Sequence, residues 1–314
     1  MGFIGSGFVS HLNQLGYHDL LVVDDFYQWR KEKNLTGKRI HEYVHRDLFI
    51  SFFGKIASQV DVVFHLGART DTISEDKKIF DQLNLQYSKD IWKICTRHKV
   101  PMVYASSAAT YGDGSHGFSD DHALIPELQP LNAYAHSKQD FDVWVLKQKE
   151  TPPQWYGLKF FNVYGPNESH KARMASVIFH AFHQIRETGK LRLFKSHLPH
   201  YNDGGQLRDF IYVKDVVNMV WDIYDKKAPS GIYNVGTGTA RTFEDLGKAC
   251  FAALNIPVNI EYFDIPDDLK DKYQYFTEAD MSKWKSADLP LPATSLENGT
   301  RDYISNHLLT GKVF

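Results

Sequence analysis

The chain has 314 residues, of which 43% are apolar and 24% are charged, and its formal net charge is −2. This composition predicts a globular protein that buries one large core, or one core and a smaller lobe, and it excludes extensive disorder. The near-neutral charge argues against nucleic acid as a partner, because nucleic-acid binders normally carry a clear basic excess.

Cysteine and histidine usage favours a reducing compartment and no metal site. Cys95 and Cys250 form no CxxC pair, and the fifteen histidines show no metal-ligand spacing. No apolar run approaches the ~20 residues of a membrane helix, and the first residues lack the basic and apolar regions of a signal peptide. We therefore expect a cytoplasmic protein without a metal and without a membrane as partner.

Short apolar runs alternate with helical patterns through the first half of the chain. The runs at 20–24, 61–66 and 100–105 are typical of strands buried on both faces of a parallel sheet. Apolar residues spaced three to four apart between 79 and 94 predict a helix. This alternation predicts an α/β fold with a Rossmann-like, doubly wound parallel sheet.

The second half of the chain does not continue this alternation of strands and helices. Helices are predicted near 174–187 and 215–224, a strand at 209–213, and a long polar surface loop at 195–207. Thr242 and Asp245 resemble a capping box at the start of a further helix.

These patterns predict two domains. We expect a dinucleotide-binding domain over residues 1–164 and mainly a substrate-binding lobe over residues 165–314, with some segments returning to the first sheet. Residues 310–314 carry no structural signal and are expected to fray.

A possible dinucleotide fingerprint stands at the start of the chain. Gly2-Phe3-Ile4-Gly5 precedes a helical pattern, and Asp24 closes an apolar strand further on. Glycines at a helix start let the backbone approach a pyrophosphate, and a carboxylate at the strand end meets the adenosine ribose. The first strand and first glycine of such a unit are missing before Met1, so we expect the N-terminus to lack one strand of ~5–6 residues and a glycine turn. Otherwise the fingerprint is accidental.

The catalytic candidates are Tyr134, Lys138 and Ser107. The four-residue spacing of Tyr134 and Lys138 puts both on one face of a predicted helix. A cation beside a phenol lowers the pKa of the phenol, so that it can take a proton from a substrate hydroxyl while a hydride leaves for nicotinamide. Ser107 follows a predicted strand, at the end where ligands of open α/β sheets bind, and can hydrogen-bond the same oxygen.

Several motifs together make the chain resemble the extended short-chain dehydrogenase/reductases, the NAD-dependent epimerase/dehydratase family. They are Phe64–Ala68, Ser106–Gly112, Asn132–Lys138, Phe161–Pro166 and Asn234–Gly236. Within that family the chain is similar to the epimerases that act on an ADP-bound heptose, through His170-Lys171, Met174–Val177 and Tyr273–Thr277. The resemblance covers nearly the whole chain.

The resemblance implies an isomerase that oxidises and re-reduces C6 of ADP-D-glycero-D-manno-heptose with bound NADP. Its product would serve synthesis of the lipopolysaccharide core. The resemblance implies Tyr134 and Lys171 as the two bases, with Ser107 and Lys138 assisting. It also implies a homo-oligomer, a pentamer.

The resemblance further implies the binding residues. Cofactor contacts are expected at Gly2, Phe3, Ile4, Gly5, Asp24, Asp25, Arg46, Leu66, Gly67, Ala68, Asn84, Lys138 and Asn162. Substrate contacts are expected at Ser107, Asn162, Arg173, His180, Phe194, Arg208 and Tyr273. We expect Arg208 on the diphosphate, because a planar guanidinium grips phosphate oxygens bidentately.

Some alternatives stay open. Asp24 and Asp25 would repel the 2′-phosphate of NADP unless Arg30, Lys31 or Arg46 compensates, which keeps NAD possible. A related nucleotide-sugar 4-epimerase or dehydratase is another candidate, although the chain has Ala108-Ala109 where a dehydratase typically needs a carboxylate pair. A third is a non-catalytic, cofactor-binding member of the family.

Overall fold

The computed structural model of the protein describes residues 1–27, 29–266 and 274–314. The strands are β1 (Leu21–Asp24), β2 (Glu42–His45), β3 (Val63–His65), β4 (Met102–Ser107), β5 (Trp155–Phe160), β6 (Asn162–Tyr164), β7 (Leu191–Phe194), β8 (Leu207–Arg208), β9 (Phe210–Tyr212), β10 (Gly231–Val235), β11 (Arg241–Thr242) and β12 (Ile260–Phe263). The α-helices are α1 (Phe3–Gln14), α2 (Arg46–Ile56), α3 (Lys77–Phe80), α4 (Tyr87–His98), α5 (Ala133–Leu146), α6 (Val177–Thr188), α7 (Val213–Asp225), α8 (Phe243–Leu254), α9 (Ser282–Ser286) and α10 (Leu296–Asp302).

Shorter helical segments connect these elements. Segments of 3-10 type lie at Trp29–Leu35, Ala57–Gln59, Ala108–Tyr111, Ile125–Glu127 and Ser169–Met174. Segments of π type lie at Asp81–Gln86 and Tyr303–Leu308.

The main sheet is parallel, with strand order β10-β5-β4-β3. Side chains of β4 alternate between its two faces: Val103 and Ala105 pack with α1 and α7, whereas Met102 and Tyr104 pack with α2, α4 and α5. Helices therefore cover both faces of the sheet. This confirms the predicted Rossmann-like, doubly wound α/β architecture.

A second sheet pairs β1 with β2 in parallel. Helix α1 packs on both sheets: Phe8 lies against Phe64 of β3 with ring centroids 4.5 Å apart, and Val9 belongs to one apolar cluster with Val22 of β1. Within the described residues, β1 pairs only with β2 and β3 only with β4. The predicted additional N-terminal strand is untested and stays a prediction.

The second half of the chain forms several small pairs and also returns to the main sheet. Strand β10 pairs with β5, while β6 pairs with β9, β7 with β12, and β8 antiparallel with β11. The division of the chain at residue 164 stays a prediction.

Local details confirm one prediction and refine another. The capping box is confirmed: Asp245 N donates to Thr242 Oγ1 at 2.9 Å, and Thr242 N donates to Asp245 Oδ2 at 3.4 Å. The helix predicted over 79–94 is interrupted by the π-type segment Asp81–Gln86 between α3 and α4. In the part of the chain that is described, no helix is long and apolar enough to cross a membrane.

The expected fraying of residues 310–314 is wrong at the last residue. Phe314 N donates to Asn167 Oδ1 at 2.8 Å, and Asn167 Nδ2 donates to Phe314 O at 2.7 Å. Lys38 Nζ donates to the same carbonyl oxygen at 2.6 Å. Hydrogen bonds from two distant segments hold this residue in place. No local pattern in the sequence predicts these hydrogen bonds.

Gly157 in β5 leaves room for the ring of Tyr104, and a Cβ at this position would overlap that ring. We expect Gly157→Ala to lower the free energy of unfolding by about 1–3 kcal/mol, the usual cost of extra atoms in a packed core. Urea denaturation measures this. The matched control is Gly54→Ala in α2, where a Cβ meets no atom within 4 Å. That variant should be neutral or slightly more stable. Equal midpoints for both variants would contradict the prediction.

Candidate active site

Three predicted catalytic side chains meet at the carboxyl end of β4. Ser107 is the last residue of this strand, and α5 carries Tyr134 and Lys138. The Tyr134 hydroxyl is hydrogen-bonded to Ser107, and Lys138 Nζ donates to the carbonyl oxygen of Ala105 at 2.9 Å. The structure thus brings the phenol, the hydroxyl and the ammonium group into one cluster.

The start of α5 orients this cluster. Asn132 is the N-cap of the helix, and its side chain accepts a hydrogen bond from Ala135 N at 2.9 Å. An amide at the N-cap satisfies an N–H that would otherwise have no partner in the first turn. The first turn, which carries Tyr134, is therefore well ordered.

Burial shifts the reactive groups toward their neutral forms. It raises the pKa of Tyr134, and the hydrogen bond with Ser107 lowers that pKa by less. Burial also lowers the pKa of Lys138 to about 8, against the opposing negative charge of Asp142. The expected decrease in the tyrosine pKa is therefore outweighed by desolvation.

A buried ion pair behind α5 was missed in the sequence. Lys159 Nζ donates to Asp142 Oδ2 at 2.9 Å, and both side chains are fully buried. Asp142 also accepts from Tyr104 Oη at 3.1 Å and from Ser106 Oγ at 2.6 Å. Two signals were available. Asp142 continues the four-residue spacing of the catalytic tyrosine and lysine, and Lys159 is a charged residue in the otherwise apolar strand β5.

Asn84 links the loop after β3 to the catalytic helix. Its Oδ1 accepts from Arg69 N at 2.9 Å, and its Nδ2 donates to Arg69 O at 3.0 Å and to Ser137 Oγ at 2.9 Å. Ser137 Oγ in turn donates to Tyr134 O at 2.7 Å. Asn84 is buried within the π-type segment, so the widened helical turn places its amide at this junction. The predicted cofactor contact of Asn84 stays a prediction.

Lys171, the predicted second base, lies in the segment Ser169–Met174. Its Nζ is 5.2 Å from the ring centroid of Phe3 at the start of α1. Burial lowers the pKa of Lys171, and the neighbouring Glu168 opposes this shift. Glu168 is fully buried and accepts from both N and Oγ of Ser176 at 2.6 Å, which anchors the segment. A lysine in these surroundings can exchange a proton more readily than a solvated one.

The N-terminus of α1 fits a pyrophosphate. The helix begins after Gly2, and this N-cap residue provides no side-chain cap for the first N–H groups. A Cβ at Gly2 or Gly5 would meet no atom within 4 Å, so there is open space beside the backbone. Uncapped N–H groups and the helix dipole favour an anion at such a position. The other predicted residues here are Phe3 and Ile4 in the first turn, and Leu66, Gly67 and Ala68 in the loop after β3.

The predicted adenosine contacts form a charged cluster at the ends of β1 and β2. Lys31 Nζ lies 3.0 Å from Asp24 Oδ1, and Arg46 lies 3.4 Å from Asp25 Oδ2. Basic groups therefore offset the two aspartates.

The predicted substrate residues are spread over the second half of the chain. Asn162 Oδ1 accepts from Thr277 Oγ1 at 3.5 Å, and Arg173 pairs with Asp71 at 3.4 Å. His180 is exposed on α6.

Two further predicted substrate residues lie among aromatic side chains. Phe194 ends β7 and packs against Phe263, with ring centroids 4.8 Å apart. The Arg208 guanidinium lies 5.6 Å from the ring centroid of Phe243. Tyr273 lies outside the described residues.

The predicted polar loop at 195–207 folds back on Tyr275. His197 Nδ1 lies 2.8 Å from Tyr275 Oη, and the ring of Tyr201 lies 4.8 Å from that of Tyr275. In the described ranges, no group of three or more histidine, cysteine, aspartate or glutamate side chains could hold a metal ion.

Comparisons with known proteins agree on one family. Residues 1–236 match the model of the NAD dependent epimerase/dehydratase family. A relative from Nitratidesulfovibrio vulgaris (strain DP4), named ADP-L-glycero-D-manno-heptose-6-epimerase, is 46% identical over 100% of this chain and 97% of its own length. A relative of the same name from Fusobacterium nucleatum is 42% identical over 98% of this chain and 96% of its own length.

Solved structures support the same fold. The ADP-L-glycero-D-manno-heptose-6-epimerase of Helicobacter pylori superimposes with a TM-score of 0.78 and 26% identity, covering 97% of this chain and 93% of the other. The UDP-glucose 4-epimerase of Thermotoga maritima superimposes with a TM-score of 0.80 and 22% identity, covering 99% of this chain and 97% of the other. The second likeness concerns the fold alone.

The contacts of Asn84 lead to a stability prediction. Asn84→Ala leaves the backbone N–H and C=O of Arg69 without their partner, and we expect it to lower the free energy of unfolding by about 1–3 kcal/mol. Gln86→Ala is the control, because Gln86 lies in the same segment and its amide donates to the half-exposed Asp90 at 2.8 Å. That variant should cost less than about 0.5 kcal/mol. Urea denaturation of both variants measures the difference, and equal losses would contradict this role for Asn84.

Proposed function

The chain belongs to the NAD dependent epimerase/dehydratase family, and we propose that it is the isomerase that converts ADP-D-glycero-D-manno-heptose to ADP-L-glycero-D-manno-heptose. The observation that carries the proposal is the full-length similarity to several relatives named ADP-L-glycero-D-manno-heptose-6-epimerase. The product would be a precursor for the lipopolysaccharide core.

The proposed reaction inverts one carbon by removing and restoring a hydride. A bound nicotinamide cofactor would supply the chemistry of hydride removal and return. The N-terminus of α1, from Gly2 to Gly5, would hold the pyrophosphate of the cofactor. Lys138 and Asn162 would contact the part of the cofactor that lies nearer the reacting carbon.

Tyr134 would act as the base of the oxidising half-reaction. In its phenolate form, its Oη would take the proton of the C6 hydroxyl as the hydride leaves, which turns that carbon into a carbonyl. Ser107 hydrogen-bonds the same oxygen and holds it beside the phenol. The hydrogen bond between Ser107 and Tyr134 supports this assignment.

Lys171 would act as the acid of the reducing half-reaction. After the carbonyl has turned over, its oxygen faces the opposite side of the pocket, where Lys171 Nζ gives it a proton. Partial burial supports this role, since it lowers the pKa of the lysine and makes the ammonium a better acid. Arg173, His180, Phe194, Arg208 and Tyr273 would hold the ADP-heptose, with Arg208 on the diphosphate.

We assign NADP rather than NAD as the preferred cofactor. Lys31 and Arg46 lie against Asp24 and Asp25 at the place proposed for the adenosine ribose. These cations offset the carboxylates and can donate to a 2′-phosphate, for which charge-assisted hydrogen bonds are strong. NAD would bind without these bonds.

The cellular setting is also a proposal. We propose that the enzyme acts in the cytoplasm, where nicotinamide cofactors and sugar nucleotides are supplied, and that it assembles as a pentamer. Sedimentation of the purified protein measures the assembly.

The activity test follows inversion at C6. We expect the protein with NADP to convert ADP-D-glycero-D-manno-heptose to its C6 epimer, as read by NMR of the sugar. Tyr134→Phe and Lys171→Met should each lower kcat by about 10²–10⁴-fold, the usual contribution of one acid or base. Lys190→Met is the control for Lys171, because Lys190 is an exposed lysine paired with Glu261 on the surface.

Two outcomes would count against this proposal. Turnover of a UDP- or GDP-hexose without inversion of the heptose would assign the protein to another member of the family. Full activity of Lys171→Met beside an inactive Tyr134→Phe would remove the second base from the mechanism.

The cofactor assignment has its own test. We expect Arg46→Ala and Lys31→Ala to weaken NADP binding by about tenfold or more and to leave NAD binding nearly unchanged, because each removes a charged partner of the 2′-phosphate. Lys33→Ala is the control, since Lys33 lies in the same segment and is exposed. Titration of each variant with both cofactors gives the ratio of the two Kd values. An unchanged ratio in Arg46→Ala and Lys31→Ala would contradict the assignment.

A further inference from the structure

The ion pair of Asp142 and Lys159 has no role in the proposed reaction as described above, yet it lies directly behind the reacting groups. Asp142 stands one helical turn after Lys138 on α5, and Lys159 reaches it from β5 at 2.9 Å. Tyr104 and Ser106 complete the hydrogen bonds of the carboxylate from β4. One carboxylate therefore joins the helix and both strands that carry the site.

Stability alone does not account for such a pair. Replacing a buried ion pair by apolar residues of similar size is often neutral or stabilising, because desolvation of two charges offsets their attraction. Both side chains here are fully buried. The cost of burying them suggests a role in the function of the site.

We propose that Asp142 and Lys159 are a positioning pair for the reaction, which holds the helix bearing Tyr134 and Lys138 against the strand ending at Ser107 and balances charge beside them. This inference rests on the proposed function.

The contacts of Lys159 extend this arrangement to the segment that follows Ser107. Lys159 Nζ also donates to Thr110 Oγ1 at 2.6 Å and lies 5.1 Å from the ring centroid of Tyr111. Thr110 Oγ1 donates back to Ser107 O at 2.8 Å. The pair therefore fixes Ser107 from the strand side and Tyr134 from the helix side.

Because Asp142 and Lys159 carry opposite charges, they should shift the pKa values of the neighbouring reacting groups in opposite directions. The carboxylate of Asp142 raises the pKa of both Tyr134 and Lys138. The ammonium of Lys159, 2.9 Å from that carboxylate, carries the opposite charge. The titratable groups that face the pair are Tyr134 and Lys138 on α5, Tyr104 on β4, Tyr111 after β4 and His122 in the following loop, with His65 of β3 facing Lys138. Loss of either charge should therefore shift the pKa of Tyr134.

The sign of the effect differs between the two partners. Without the negative charge of Asp142, the pKa of Tyr134 falls, so the phenolate forms at lower pH. Without the positive charge of Lys159, the unbalanced carboxylate raises that pKa. If the pair had a purely structural role, both variants would lose activity, and the pKa of Tyr134 would not shift in opposite directions.

The test uses Asp142→Asn, Lys159→Met and the double variant that carries both changes. We expect the acid limb of the kcat/KM profile for ADP-D-glycero-D-manno-heptose to move down by about one pH unit in Asp142→Asn and up by about one in Lys159→Met. The double variant should return to the wild-type position. The controls are Asp120→Asn and Lys283→Met, a partly buried pair 3.8 Å apart, and they should not move the limb.

A second measurement keeps the inference separate from the proposed function. The ionisation of Tyr134 is read as the phenolate absorbance difference between each variant and its Tyr134→Phe counterpart, and the same opposite shifts are expected. A wild-type protein that fails to invert the heptose while these shifts occur overturns the proposed function alone. Shifts in one direction, or none, overturn the positioning pair.

The double variant decides the matter if a single variant does not fold, because it buries no unpaired charge. We expect it to fold with a kcat about ten- to hundredfold lower and a KM within about twofold of the wild type, since a small misplacement of reacting groups costs rate. Its phenolate should titrate at the wild-type pH. A double variant with wild-type kcat would overturn the inference.

Discussion

The mutual desolvation of Lys159 and Asp142 is the constraint on which the geometry of the site depends. Two opposite charges withdrawn from water are tolerated only in close contact and with their remaining hydrogen bonds satisfied. The second requirement is met from β4, through Tyr104 and Ser106. Because α5, β4 and β5 each contribute a partner, none of them can shift without leaving a buried charge exposed to an apolar core. The register that brings Tyr134 to the end of β4 follows from this condition.

Burial favours the neutral form of the three titratable side chains of the site. It raises the pKa of Tyr134 and lowers the pKa of Lys138 and Lys171, so that each group is biased toward its neutral form. A site of this kind suits a reaction that must move a proton both ways, as the proposed epimerisation does, because neither charged form is strongly stabilised. The hydrogen bonds of Asn84 also support the site, because they connect the loop after β3 to helix α5.

The sequence predicted those parts of the structure whose causes are local. Apolar runs identified β1, β3 and β4, and the spacing of Thr242 and Asp245 identified a capping box that the structure confirms. The π-type turn at Asn84 could not be predicted, because it depends on a hydrogen bond to Arg69 in a different loop. The ordering of Phe314 was missed for a similar reason, since its partners stand far away in the chain.

By itself, the sequence determined the fold class, the family and the grouping of Tyr134 with Lys138, because hydrophobic periodicity and a four-residue spacing act over a few residues of chain. Only the tertiary structure decided how Ser107 meets that pair, which cations offset the aspartates of the proposed cofactor site, and that Asp142 and Lys159 stand behind the reacting groups. These features depend on contacts across the sheet. Their energies come from burial and from charge in a medium that only the folded chain creates.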